Sequence, residues 1–195
     1  GGGRQQTLRA TLDWSYGLLG EEERALFARL GVFAGSWTLE AAEAVCSGGT
    51  LDKWAILDIL TALVDRSLVI ADPVGSGIRY RMLESIRQYA LELFDQLPDA
   101  TALRDSHRAY FVEMARRAEP ELTGPRMDRW MDRFEREHEN FRLALAWSAT
   151  SPEPARAILE VASPLYRFWH HRGYLSEAHG WLTRGLDEDG DVPEA

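Results

Sequence analysis

The sequence has almost no cysteine, since Cys46 is the single one among 195 residues. One cysteine cannot form a disulfide within the chain, so the fold has to rest on a packed core. The first residues show no signal-peptide pattern, and "GGG" there is typical of a linker end or a cloning scar. We therefore expect a cytoplasmic protein, in which Cys46 is a small buried hydrophobe.

Long hydrophobic runs are also missing. The longest, "AILDILTALV", is interrupted by Asp58 and is shorter than the roughly 20 residues that a membrane-spanning helix needs. We expect no membrane span and no membrane partner. Hydrophobic residues still make up 45% of the chain, enough for the core of one domain or of two small ones.

The chain has no excess of positive charge. It carries 22 basic and 31 acidic residues, and acidic residues are in the majority both before and after Pro98. Proteins that bind nucleic acid usually show a basic surface. The charge pattern therefore argues against direct contact with nucleic acid.

Signatures of chemistry are absent as well. No GxxxxGK[ST] sequence is present to hold a phosphate, so we expect no nucleotide or other cofactor in this chain. Ser15 and Ser85 have no base at a recognisable spacing, and His107 and His179 have no patterned partners. The sequence predicts no catalytic site and no enzyme.

Two histidine-containing stretches are candidate metal sites. His170 and His171 are adjacent, and neighbouring helix residues point about 100° apart, so they cannot chelate one ion from one face. In "EHEN", residues 137–140, a carboxylate–histidine site is conceivable, but a solvated helix face is the simpler interpretation. We expect no metal.

The first half of the chain predicts a mainly α fold with a small two-stranded wing. Strands are predicted at residues 68–72 and 78–82, joined by a hairpin loop, and "AGSW" before Thr38 is predicted to be a turn. The order of elements is typical of a winged-helix module, assigned to residues 1–97. The predicted helices span residues 5–19, 21–33, 39–45, 51–67 and 83–97.

Helical periodicity also selects core residues. Phe27, Leu60 and Leu63 lie on apolar stripes and should be buried, with Leu57 and Val64 beside them. The first helix should turn one apolar face inward, made of Leu8, Leu12, Tyr16 and Leu19.

The second half, residues 98–195, predicts helical hairpins, with helices at residues 102–118, 127–148, 155–171 and 176–186. In "RGYLSEAHGWLTRGL" the small residues Gly173, Ala178 and Gly185 alternate with large ones. That spacing resembles the second helix of a tetratricopeptide repeat. A lone repeat cannot bury its face, so we expect an array that continues in a longer parent chain.

Aromatic residues near the end of the chain allow two interpretations. Trp169, Tyr174, Trp181 and Leu182 either pack within the helical hairpin or line a groove for a protein partner. If the next repeat is missing, this surface should also support self-association.

A winged helix that reads DNA needs donors on its groove-entering helix. Here that helix would be residues 53–67, and its basic residues are Lys53 and Arg66. Three carboxylates accompany them: Asp52, Asp58 and Asp65. A DNA-binding winged helix with a helical dimerisation arm therefore remains only as the alternative.

Ordered stretches of the sequence resemble one family. "TLRATLDWSYGLLGEEERALFARLGVF", "ILTALVDRSLVI" and "YRMLESIRQYALE" look like the segment that follows the nucleotide-binding core of bacterial STAND-type, NB-ARC-like ATPase regulators of transcription. "HENFRLALAW" and "LYRFWHHRGYLSEAHGWLTRGL" look like the start of their tetratricopeptide arm. The resemblance implies a regulatory fragment that couples a sensor arm to the nucleotide-binding domain of the same parent.

The resemblance also implies roles for particular residues. Met82, Leu83 and Glu84 are similar in position to the family's Met-His-Asp motif, whose histidine contacts the phosphate of bound ADP. Leu83 stands at the histidine position and cannot donate to a phosphate, so either the contact is lost or a neighbour such as Arg81 supplies it. ATP or ADP is implied for the parent, and an unidentified protein or small-molecule inducer for the arm.

Overall fold

The computed structural model describes residues 2–75 and 77–187, with side chains described for residues 6–75 and 77–186. Contacts between its elements divide the chain into two compact units, and the boundary lies between Leu103 and Arg104. The domain limits expected from the sequence, 1–97 and 98–195, stay a prediction.

The first unit is mainly helical, with a small antiparallel sheet, and this confirms the predicted fold class. The order of its elements is that of a winged helix. Its helices are α1 (Gly2–Gly17), α2 (Glu21–Arg29), α3 (Leu39–Cys46), α4 (Ile56–Asp65) and α5 (Glu84–Phe94), and its strands are β1 (Ser36–Thr38), β2 (Ile70–Val74) and β3 (Gly77–Arg81).

The sheet has three strands in the order β1–β3–β2, so the predicted wing of two strands is extended by a third. The prediction of a turn at "AGSW" is wrong for Ser36 and Trp37, which pair with β3. The chain turns earlier, at Gly35, whose φ is 67°. Trp37 then points into the core and stacks on Phe33, with ring centroids 5.5 Å apart.

Phe27, Leu60 and Leu63 are completely buried, as predicted. Leu57 is 44% exposed, so its inward placement was wrong. The buried stripe of α4 consists of Ile56, Ile59, Leu60 and Leu63, which leaves Leu57 on the outer side of the helix and Val64 half-buried.

The other helices of the first unit also differ in detail from their predictions. Leu8 of α1 was expected inside but is exposed, while Leu12 and Leu19 are buried. The helix predicted over residues 51–67 is divided, because the Asp52 carboxylate accepts the N–H of Trp54 at 2.8 Å and caps a separate 3-10 turn before α4.

One backbone approach in the first unit is especially close. A Cβ atom at Gly31 would lie 2.7 Å from the carbonyl oxygen of Ala90 in α5. Real Cβ contacts are not this short, so only a residue without a side chain lets the 3-10 turn Leu30–Val32 lie directly on α5.

The helices of the second part of the chain are α6 (Ala100–Ala118), α7 (Met127–Ser148), α8 (Pro154–Arg172) and α9 (Leu175–Asp187). Edge-to-face phenylalanines form the core of the second unit. Ring centroids lie 5.1 Å apart for Phe134 and Phe141, and 5.6 Å apart for Phe134 and Phe168. This core joins α7 to α8.

The helices α8 and α9 form a hairpin. Gly173 ends α8 in the left-handed conformation, with φ of 82°, which favours glycine. A Cβ atom at Gly185 would lie 2.9 Å from the Leu159 side chain, so the missing side chain sets how closely the two helices pack. The hairpin is present as predicted, and its assignment to a tetratricopeptide repeat stays a prediction.

Candidate interaction surfaces

The outer side of α4 is the face that a winged helix would present to a partner. Trp54, in the turn before α4, and Leu57, Asp58, Thr61 and Asp65 lie on one side of the helix and are all exposed. Trp54 is the most exposed large apolar side chain among them, at 82%. We call these five residues the α4 face. It combines apolar surface with two carboxylates.

The two basic residues that flank the α4 face are already engaged. The Lys53 ammonium lies 3.7 Å from a carboxylate oxygen of Glu43 and 5.8 Å from the centroid of the Trp54 ring. The Arg66 guanidinium lies 3.4 Å from the carboxylate of Glu23. Each of these basic groups faces a carboxylate, so the α4 face, with Asp58 and Asp65, is acidic and apolar rather than basic.

The arginines of the wing are also bound within the domain. Arg79 is buried and donates through Nε to the hydroxyl of Ser36 at 2.8 Å and through Nη2 to its carbonyl at 2.9 Å. Arg81 donates through Nε to Asp72 at 2.6 Å, across the β2–β3 pair. Both guanidinium groups stabilise the sheet.

At the strand-to-helix junction, Met82 is buried and Leu83 is 51% exposed. The helix predicted from residue 83 begins one residue later, at Glu84, because Leu83 has an extended conformation. Arg87 donates two hydrogen bonds to the Glu84 carboxylate, at 2.9 and 3.0 Å, and these bonds lower the pKa of Glu84. The Glu84 carboxylate is therefore engaged within the first turn of α5.

Arg81 is the neighbour that could supply a donor for a phosphate at this junction. Its hydrogen bond to Asp72 holds it in the sheet instead. No ligand-binding role of Met82, Leu83 or Glu84 is tested by this geometry, and their role toward nucleotide in a parent protein stays a prediction.

A cleft of about 720 Å³ separates α1 from α5 and reaches Ser85, the second residue of α5. Its charged groups are paired across it, since Arg9 forms an ion pair with Glu92 and lies 4.8 Å from the centroid of the Tyr89 ring. The Tyr89 hydroxyl donates to Asp13 at 2.8 Å. Burial first, and then this bond, raises the pKa of Tyr89 to about 12.

The second unit contains a buried polar cluster that the sequence interpretation missed. Glu137 is only 1% exposed, so its assignment to a solvated face was wrong. The Asn140 amide donates to Glu137 at 3.0 Å, and its oxygen lies 3.4 Å from Nε2 of His107 on α6. Burial lowers the pKa of His107 to about 4, so this imidazole is neutral at physiological pH.

A second polar cluster lies at the interface of α7 and α9. Arg142 donates to Glu177 at 2.7 Å, and His138 lies 3.1 Å from the same carboxylate. Burial acts to raise the pKa of Glu177, but these two partners outweigh it and the pKa is lowered. The cluster joins the turn-proximal end of α9 to α7 and indicates a structural rather than a chemical role.

The candidate partner residues near the end of the chain divide into two groups. Trp169 is completely buried, so of the two alternatives it packs among the helices and does not line an open groove. Tyr174, Trp181 and Leu182 are half-buried, and their role in binding a partner stays a prediction. The Tyr174 hydroxyl donates to Glu135 on α7.

The described part of the chain holds no group of three or more histidine, cysteine, aspartate or glutamate residues that could bind a metal ion. Cys46 is buried, and burial raises the pKa of its thiol to about 12, which is unlike a reactive cysteine. None of the helices described is both long and apolar enough to cross a membrane.

This chain is similar in sequence to known proteins and also matches a family model. Two proteins named "Putative HTH-type transcriptional regulator", one from Mycobacterium tuberculosis and one from Mycobacterium bovis, are each 40% identical to it over 185 residues, which is 95% of this chain and 21% of theirs. An uncharacterized protein of Mycobacterium tuberculosis is 38% identical over 110 residues, which is 56% of this chain and 28% of that protein. No solved structure matches.

This chain thus spans about a fifth of the length of the two regulators. A family model described as a winged helix-turn-helix domain matches residues 19–95, which include α2 to α5 and the whole sheet. The match and the order of the elements agree, and residues 19–95 of this chain form a winged helix-turn-helix domain.

Proposed function

We propose that this chain is a non-catalytic regulatory segment of a larger transcriptional regulator of the STAND type, in the cytoplasm. In this proposal its winged helix docks on protein, and the partner is the nucleotide-binding domain of the same parent. The helical second unit belongs to a tetratricopeptide arm that receives an inducer. ATP or ADP is bound by the parent, outside this chain.

The acidic and apolar α4 face carries the proposal. A helix that enters a DNA groove has to approach phosphates, and each exposed carboxylate there costs binding free energy. The α4 face instead offers Trp54, an aromatic side chain of the kind enriched at the centres of protein interfaces, next to Leu57. Asp58 and Asp65 suit a partner with basic residues at the rim.

The similar proteins also support a regulator, because two of them are named as HTH-type transcriptional regulators. They are almost five times as long as the matched segment, which leaves room for a nucleotide-binding domain and a repeat array elsewhere. The name alone also favours the second candidate function, a winged helix that binds DNA, with the second unit as a dimerisation arm.

A DNA titration separates the two functions. Fluorescence anisotropy with a labelled 24-base-pair duplex at low salt should show no saturable binding, because the α4 face repels phosphates. Asp58→Lys together with Asp65→Lys should then raise affinity for DNA. Tight binding by the unchanged protein, with a steep salt dependence and weakened by Trp54→Ala, would establish the DNA-binding function instead.

Docking on the nucleotide-binding domain is tested in the full-length parent. Trp54→Glu should loosen the closed state and speed release of a fluorescent ADP analogue. Ala146→Glu, an exposed position of α7, is the control and should leave the release rate unchanged. Equal release rates for the parent and for Trp54→Glu would contradict docking through the α4 face.

A further inference from the structure

A cleft of about 390 Å³ opens on the second unit, beside α8. Four α8 residues border it, and the residues before and at the start of α7 complete its wall. The lining residues are Leu122, Met127, Tyr166, Arg167, His170 and His171. The volume lies within the range of small-molecule sites, roughly 300–1,000 Å³.

Helix spacing explains why these side chains meet. Tyr166 and His170 are four residues apart, as are Arg167 and His171, so both pairs lie on adjacent rows of one side of α8. The two histidines point about 100° apart and do not need to share one atom of a ligand. Both border this cleft.

The charge of the cleft differs from that of the chain. The chain has a net charge of −9, yet the described lining contains one guanidinium, two imidazoles and no carboxylate. Two arginines nearby are neutralised, since Arg126 pairs with Glu121 and Arg172 pairs with Asp132 at 2.6 Å. Arg167, in contrast, makes no ion pair with any residue that the structure describes.

Apolar and aromatic groups form the rest of the lining. Leu122 is buried and supplies a firm apolar wall, while Met127 is half-buried and adaptable. The Tyr166 ring is exposed, with its centroid 6.1 Å from that of His170. The apolar body of a ligand in this cleft would therefore contact an aromatic ring and a thioether, and one end of it would contact a guanidinium.

We propose that this cleft binds a small organic anion, a carboxylate with an aromatic or other apolar body. The planar guanidinium of Arg167 binds the carboxylate through two parallel hydrogen bonds. The imidazole N–H groups of His170 and His171 supply further donors, and the body of the ligand packs on Leu122, Met127 and Tyr166. The site does not depend on whether the first unit docks on protein or on DNA.

The probe for this site is a matched pair of compounds, 1-naphthoate and 1-naphthalenemethanol, which share the ring system and differ in charge. Titration of the 195-residue protein, followed by NMR, should show naphthoate binding at least tenfold more tightly than the alcohol, with shifts centred on residues 166–171. Arg167→Gln should remove this difference, and Arg167→Lys should restore part of it.

Arg116→Gln is the matched control, because Arg116 is an exposed arginine of the same unit on α6. It should leave naphthoate affinity unchanged. Equal affinity for the two compounds, no binding of either, or equal losses in Arg167→Gln and Arg116→Gln would each overturn the proposal. Circular dichroism of the variants verifies that the helices are intact.

Discussion

Arg29 and Asp99 are 70 residues apart in the chain, and their side chains meet at 2.9 Å. The same guanidinium donates to the carbonyls of Cys46 and Gly48, at 2.7 and 2.8 Å, and Arg29 is almost completely buried. One side chain therefore ties α2 to the end of α3 and to the segment after α5.

Arg29→Met should destabilise the first unit by about 2 kcal/mol, because it leaves two carbonyls and a carboxylate without their donor. Urea denaturation followed by circular dichroism measures the loss. Asp99→Asn should cost less, since the Asp99 side chain is 40% exposed and water can replace it. A larger loss for Asp99→Asn than for Arg29→Met would contradict this assignment.

The buried stripe of α4 gives a second prediction. Leu63→Ala should cost roughly 2–5 kcal/mol, as large-to-small changes in packed cores do. Leu57→Ala, the same change on the exposed side of the same helix, is the matched control and should cost less than about 1 kcal/mol. Similar losses for the two variants would show that the faces of α4 are assigned incorrectly.

The buried imidazole of His107 predicts a dependence of stability on pH. Its pKa is about 4 in the folded state against 6.5 for an ordinary histidine, so the unfolded chain binds the proton first. Stability is then lost as the pH falls below 6.5, by about 2 kcal/mol on reaching pH 4.5.

His107→Gln removes that contribution and should flatten the pH dependence of the free energy of unfolding between pH 7 and 4.5. The Glu177 carboxylate, whose pKa is lowered, adds a loss of stability that sets in only toward pH 4.5 and continues below it. The comparison is therefore between the two slopes. Identical slopes for the unchanged protein and His107→Gln would contradict a neutral buried imidazole.

The chain alone should bind ATP or ADP only weakly. It has no phosphate-binding loop, and at the strand-to-helix junction Glu84 is bound by Arg87. Isothermal titration calorimetry with ADP, with and without magnesium, provides the measurement. A dissociation constant in the micromolar range would refute this expectation and would make the cleft beside Ser85 the first place to examine.

Self-association should occur through the α8–α9 hairpin. Trp169 cannot contribute, because it is buried, but Leu175 and Leu186 are exposed and Trp181 is half-exposed. Sedimentation velocity should show a concentration-dependent rise in mass that Trp181→Glu reduces. Ala146→Glu adds the same charge on α7 and should have no effect. A strict monomer at high concentration would disprove the prediction.

Local periodicity predicted most of the helices and the buried positions Phe27, Leu60 and Leu63, because those signals lie within a few residues of each other. Strand β1 escaped prediction, since its three residues carry too short an alternation. Its pairing partner Tyr80 is 43 positions away from Trp37. A contact of that kind is decided by tertiary packing, which no local pattern contains.

The buried cluster at Glu137 was missed for a different reason. A polar residue on a helix was assumed to face water, although Glu137 is in phase with Phe134 and Phe141, both of which are buried. That phase was the available signal. The α4 face shows the opposite case, because the sequence already indicated the acidic character of its helix. Ile56 and Leu57 are adjacent and both apolar, however, so only packing decides that Ile56 faces the core and Leu57 does not.

The contact between Gly31 and the backbone of Ala90 has a mechanical consequence. Backbone atoms cannot rotate aside as a side chain can, so an added methyl group at position 31 would have to displace α5 as a whole. The first residue of α5 is Glu84, at the strand-to-helix junction. The absence of a side chain at Gly31 thus helps to set the position of this junction. A shift of α5 at Ala90 would also shift Glu84, because both residues belong to the same helix.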